Sequence, residues 1–157
     1  MRRLGIAFGT VVLTLAGMAG TAAADRPAAS TFIAVLNSDN ETGVCAGISA
    51  SARGVAVFHV TDEATGTVEW TLVANNLPGT TSAAHIHRGQ PGVAGSVVQP
   101  LTFPAGNENG VIGTGTFTNA ALLAAIRADP GNYYVNVHTM PNCPGGVIRG
   151  QFGTQGP

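Results

Sequence analysis

The 157-residue chain contains no lysine, and its seven positive residues are all arginine. Charged residues make up only 10% of it, against about 25% in an average soluble domain. So sparse a charge argues against a polybasic nucleic-acid binder. It also argues against a charge-driven disordered segment, which combines high net charge with low hydrophobicity. Cysteine is limited to Cys45 and Cys143, and they do not form a CxxC pair. No GxSxG surrounds any serine, so Ser82 and Ser96 do not mark a nucleophile elbow. The glycine-rich stretch from Gly106 to Gly115 lacks the lysine and hydroxyl residue of a phosphate loop. Asp62, Glu63, Glu69 and Glu108 offer carboxylates, but Asp62 and Glu63 are better explained as turn residues.

Long apolar runs are also missing, with one exception. Leu4 to Gly17 follows Arg2-Arg3 and precedes the small residues Ala22-Ala23-Ala24. This is the pattern of a secretory leader cleaved near Ala24. The run is short for a membrane span, which needs about 20 residues. The arginine pair is compatible with general or twin-arginine export. Removing residues 1–24 leaves five arginines against eight acids, a formal charge of −3. That sign gives no attraction to nucleic acid or anionic lipid. No membrane span is expected in the mature chain. An exported chain meets an oxidising compartment, so Cys45 and Cys143 are expected to pair as a disulfide. Soft-metal ligation by the two thiolates is the competing reading.

What the sequence does have is glycine and short β-branched stretches. After a flexible leader over 25–30, the stretches Thr31–Leu36, Val55–Val60, Thr67–Val73, Ala83–His87, Val97–Phe103, Val111–Phe117, Tyr133–Thr139 and Val147–Phe152 read as strands. Val68, Trp70 and Leu72 share one face of their strand, while Thr67, Glu69 and Thr71 share the other. Asp62 to Gly66 is a five-residue hairpin loop. Pro100 places its strand at an edge or a bulge. Asn119–Ala128 is the one convincing helix, capped by Thr118 or Asn119 and ended by Asp129-Pro130-Gly131. Many short strands with one helix predict an all-β fold, an antiparallel sandwich of the immunoglobulin-like, Greek-key kind, over 31–153 with a tail at 154–157.

Three histidines form the chemical signal. His85-Ile86-His87 places two imidazoles on one face of a strand, about 6.5–7 Å apart. Both rings can then converge on one ion at about 2.0–2.1 Å, with Ile86 turned into the core. His138 shares a face with Tyr134 and Asn136 on a later strand. If the two strands are neighbours, the three imidazoles meet. Three histidines with an open position suit copper or zinc. His59 and Glu69 are further candidate ligands. Against this stands the plainer role of histidines at strand ends, which is to hydrogen-bond backbone carbonyls. Arg149 is a lone charge in an apolar strand; it either faces solvent or needs a buried carboxylate partner.

These residues resemble a known family. Ala84-His85-Ile86-His87-Arg88-Gly89, followed by Gly92, Gly95 and Val97-Val98, is similar to the central motif of the CHRD (chordin) domain. Tyr134-Val135-Asn136-Val137-His138-Thr139 with Gly146-Val147-Ile148-Arg149-Gly150-Gln151 is similar to its closing motif. Asn136, Arg149 and Gly150 are the motif positions with a structural role. Val147 stands where the family usually carries an acid, so an ion pair from that position is not implied. The resemblance implies an immunoglobulin-like sandwich and an extracellular protein. In animals the domain is repeated in chordin, an antagonist of bone morphogenetic proteins, whereas bacterial members are mostly secreted single-domain proteins. One copy behind a secretory leader does not carry growth-factor antagonism over.

A weaker similarity is to copper,zinc superoxide dismutase, whose His-x-His strand and later Val-x-His strand hold copper. The short segment from Arg88 to Gly95 has no counterpart of that enzyme's zinc loop. Three functions therefore stand open: a non-enzymatic extracellular binding module for an unknown protein partner, a copper- or zinc-binding protein, and a dismutase-like oxidoreductase.

Overall fold

The computed structural model of the chain describes residues 30–154. The expected secretory leader, most of the 25–30 segment and tail residues 155–157 lie outside the described residues. Eight strands form: β1 (Thr31–Asn37), β2 (Arg53–Asp62), β3 (Thr67–Asn75), β4 (Thr80–Arg88), β5 (Ser96–Leu101), β6 (Gly110–Thr118), β7 (Tyr133–Met140) and β8 (Cys143–Thr154). A helix, α1 (Ala120–Ala128), joins β6 to β7. The strands pair antiparallel into one sheet in the order β5-β4-β7-β8-β1-β2-β3-β6. The expected all-β, antiparallel class with one short helix is what forms.

Period-two patterning builds this sheet. Ala56, Phe58 and Val60 on β2 and Val68, Trp70 and Leu72 on β3 point inward and are buried, while His59 and Glu69 between them are exposed. Asp62 turns the hairpin between them by accepting hydrogen bonds from the Ala64 and Thr65 amides at 2.8 and 3.2 Å. The sheet curls strongly. Ile86 of β4 meets Phe58, Phe117, Leu123 and Ile126 around one small apolar cavity, although β4 and β2 stand four strands apart.

Helix α1 covers the open side of this core. Asn119 caps its start by accepting from the Leu122 amide at 3.0 Å, and Leu122, Leu123 and Ile126 are buried. Arg127 ties the helix to the β2–β3 hairpin through Glu63 at 2.6 Å. Pro100 lies on β5, an edge strand, where its missing N–H is harmless.

Two boundaries differ from expectation. The last two strands are joined by a much tighter turn, because β7 runs to Met140 and β8 already starts at Cys143. Cys143 therefore sits in the hairpin itself, bonded to Cys45 in the long 38–52 segment. Thr154 belongs to β8 rather than to the tail.

The feature that matters for function is the outer face of β4, β7 and β8, which are neighbours. On β2 and β3 the outer face is open. On β7 both faces are buried: Tyr134 and Asn136 are 2% and 3% exposed. Segments 38–52 and 89–95 cover them, and the motif residues His87, Tyr134, Asn136 and Arg149 are buried beneath this cover.

Candidate metal centre

β4 and β7 pair so that His85 stands opposite Asn136, His87 opposite Tyr134 and His138 opposite Ala83. Cross-strand partners share a face, so this register gathers the three histidines. One ligand nitrogen from each lies within 4.8 Å of the other two. A tetrahedral ion with bonds of about 2.0–2.1 Å needs separations near 3.3 Å, so the rings must draw closer together to hold one. His85 and His138 are already closer, with His85 Nδ1 and His138 Nε2 at 3.1 Å.

The far nitrogens decide which lone pairs face the centre. His87 Nδ1 lies 2.9 Å from the Gly95 carbonyl oxygen. A carbonyl only accepts, so Nδ1 carries the proton and Nε2 carries the lone pair. Nε2 is buried and has no hydrogen-bond partner. His138 Nδ1 likewise donates to the Pro144 carbonyl at 2.9 Å, leaving its Nε2 lone pair turned toward His85. Backbone carbonyls that fix the tautomer and aim of a ligand imidazole are a regular part of metal sites. Such carbonyl bonds were also the plainer alternative for these histidines. What they do here is commit the outer nitrogens of His87 and His138, so that His87 Nε2 is left without a partner and His138 Nε2 accepts from His85 Nδ1, a bond an ion would replace.

A second layer holds this arrangement. The His87 ring stacks on Tyr134, with centroids 4.8 Å apart and planes at 11°. The Arg149 guanidinium lies 3.4 Å from the centroid of the same Tyr134 ring. Because β7 runs between β4 and β8, histidine, tyrosine and arginine form one stack across three strands. Arg149 donates to the Gln90 and Val93 carbonyls at 2.7 and 2.9 Å and to Gln151 Oε1 at 3.0 Å. Gln151 donates to the Gly89 carbonyl at 3.0 Å. These bonds fix the 89–95 loop, whose Gly95 orients His87 and whose Gly95 amide donates to the Tyr134 hydroxyl at 3.0 Å. Asn136 donates to both oxygens of Glu41 at 3.1 and 2.9 Å, pinning the 38–52 segment.

Arg149 is 1% exposed, so the solvent-facing alternative is excluded. Its direct partners are carbonyls, a side-chain amide and an aromatic face, not the carboxylate expected of a buried arginine. Glu41 supplies the negative charge at longer range and from far away in the sequence. Val147, at the family's usual acidic position, is in the apolar core. His59 and Glu69 do not join the centre. They face each other in register on the open outer face of β2 and β3, with β8 and β1 standing between them and β7. The thiolate alternative also fails, since both cysteines are spent in the disulfide.

Glu41, Pro144 and Gln151 went unmarked as site residues in the sequence. The one available signal for Glu41 was its nearness to Cys45, which the disulfide carries to the β7–β8 hairpin.

Burial pushes the pKa of all three histidines below the ordinary 6.5. For His85, the neighbouring His138 and His87 push the same way. Burial likewise raises Glu41 above the usual carboxylate range, partly offset by the Thr42 amide, Arg149 and Asn136. A lowered histidine pKa means that the unfolded chain binds more protons than the folded one over the window just below 6.5. The metal-free protein therefore keeps the full contribution of these neutral rings above about pH 6.5 and loses it as pH falls through the lower folded values. Urea unfolding at pH 7.5 and pH 5.5 should show that loss. The triple His85→Ala/His87→Ala/His138→Ala variant should show a smaller one.

The CHRD domain family model matches residues 32–152, which include every residue of the centre and of its supporting layer. No curated protein and no solved structure matches the chain.

Proposed function

The chain belongs to the CHRD domain family, and on that premise we propose that it is an exported binding module whose ligand is one copper or zinc ion held by His85, His87 and His138. The observation that carries this is the buried, unpartnered Nε2 of His87, set beside two further imidazole nitrogens within 4.8 Å. A buried acceptor with no partner costs about 1–3 kcal/mol, and coordination would remove that cost. Neutral imidazole is the ligand form of histidine, and the lowered pKa values keep these rings neutral at physiological pH. A three-histidine set with an open position fits both ions.

Export is supported by the leader pattern at 1–24 and by the disulfide, which suits an oxidising compartment. Among the described residues no helix is long and apolar enough to cross a membrane. The immunoglobulin-like, Greek-key sandwich is the finer fold that the family resemblance implies, whereas the single curled eight-stranded sheet is nearer a barrel.

The test is metal analysis of purified protein after stripping and titration with copper(II) and, separately, zinc(II). One ion per chain is expected in the native protein. The triple alanine variant should retain less than about 0.1 per chain while staying folded by circular dichroism. Equal metal content in native and variant protein would overturn the proposal.

A further inference from the structure

The Cys45–Cys143 disulfide connects to the candidate metal centre through both of its ends, by different routes. Cys143 immediately precedes Pro144, whose carbonyl receives the His138 Nδ1 proton at 2.9 Å. Cys45 anchors the 38–52 segment, and Glu41 of that segment receives both bonds from Asn136, which is two residues before His138 on the same face. Ser38 adds an internal brace, donating to the Cys45 carbonyl at 3.4 Å. Cys45 and Cys143 are 98 residues apart in the chain. Among the described residues no other covalent cross-link joins the segment to the hairpin.

Resting on the metal reading above, we propose that this disulfide is a positioning element of the centre, so that the chain acquires its metal only once the cysteines are oxidised. In the reduced chain the hairpin keeps its ladder and the bonds that Thr139 and Asn142 donate to the Pro78 carbonyl, and the 38–52 segment keeps its hydrogen bonds and the buried packing of Ala52, but the covalent tie between the two is gone. The Pro144 carbonyl is then no longer fixed against His138, whose ring is free to exchange tautomers and turn away. Oxidation converts the two thiols into one S–S bond, releasing two protons and two electrons to a disulfide-bearing oxidant. That step fixes the carbonyl, sets the Nε2 lone pair of His138 inward and completes the set of three ligands. By linkage, bound metal must stabilise the disulfide to the same extent that the disulfide strengthens metal binding. A chain of this design does not collect metal in a reducing compartment, before export.

Zinc(II) is the probe, because a phosphine reductant does not change its oxidation state. The oxidised protein is loaded with zinc and then reduced, while a chromogenic chelator reports released zinc, thiol labelling reports the open disulfide, and circular dichroism reports the fold. Zinc release that follows thiol appearance, with the β-sheet signal retained, is the expected result. Loss of a carbonyl-fixed ligand corresponds to a roughly 10–100-fold drop in affinity. Zinc retained after the thiols appear overturns the proposal. So does release that occurs only together with global unfolding, since the disulfide would then act through stability alone.

A second measurement needs no metal. Nitrogen-15 spectra of the histidine rings should show His138 as a single Nδ1–H tautomer in the oxidised protein and as a mixture in the Cys45→Ala/Cys143→Ala variant. An unchanged tautomer in a folded variant overturns the positioning role. Failure of the oxidised protein to bind zinc would instead overturn the metal reading, so the two failures are distinct.

Discussion

Replacing Gly150 with alanine is expected to lower the unfolding free energy by about 3 kcal/mol or more. Gly150 lies on β8 where that strand passes β1. A Cβ there would overlap the Val35 carbonyl oxygen, and it would sit 2.6 Å from the Val35 carbonyl carbon and 3.1 Å from the Leu36 amide nitrogen. All three atoms are backbone, so no rotamer change relieves the contact. The two strands must part, and the ladder that pairs Ala34 with Phe152 and Asn37 with Arg149 parts with them. Gly153, on the same strand, supplies the control. A Cβ at Gly153 meets only the Ile33 carbonyl oxygen, at 3.7 Å, which is ordinary contact. Gly153→Ala should therefore change stability by less than about 0.5 kcal/mol. Urea midpoints of the two variants decide the matter. Equal losses would show that a general intolerance of side chains on β8, and not the close approach of β1, is responsible.

The pair Gly150 and Gly153 also shows what a sequence can disclose here. Both are glycines in an apolar, alternating stretch; period two puts them on opposite faces, but it does not show that β1 closes on one of those faces. The strands themselves were legible because period two is a local signal. The TVEWTLV and YYVNVHT stretches each state it within seven residues. His85 and His87 were legible for the same reason, since i and i+2 must share a face of any strand. Their meeting with His138 depended on β4 lying beside β7, which is a matter of sheet order.

Chain-distant relations were harder to see. Alternation predicted that Tyr134 and Asn136 share the face of His138, and they do. It did not show that this face is covered, because the covering residues come from 38–52 and 89–95, two irregular segments with no periodicity. The same cover explains why Arg149 is buried without a salt bridge. Its partners are main-chain carbonyls of a loop, and carbonyls leave no trace in residue identity. His59 and Glu69 were reasonable ligand candidates by chemistry, but they lie on strands that the topology carries to the open side of the sheet.

Arg149→Lys is expected to have the second large effect, a loss of about 2–4 kcal/mol in stability with a 10–100-fold weaker hold on the metal. Charge is conserved in this substitution, so a purely Coulombic role predicts little change. What lysine lacks is the planar fork. Arg149 uses it to donate to the Gln90 and Val93 carbonyls and to Gln151 while its face rests on Tyr134. A lysine ammonium reaches one of these carbonyls at most, leaves another buried acceptor unpaired, and cannot stack flat.

The loop freed by this loss is the one that ends at Gly95, and Gly95 holds both the Nδ1 proton of His87 and the Tyr134 hydroxyl. His87 therefore loses its fixed tautomer and one side of its stacking support, although neither His87 nor Gly95 has been altered. Chelator competition with zinc, run well below the unfolding midpoint of the variant, separates the two effects. A stability loss with unchanged affinity would confine Arg149 to the scaffold. A matched fall in affinity would show that the closing motif, with its arginine and glutamine, exists to aim a histidine on the other motif, two strands away across β7.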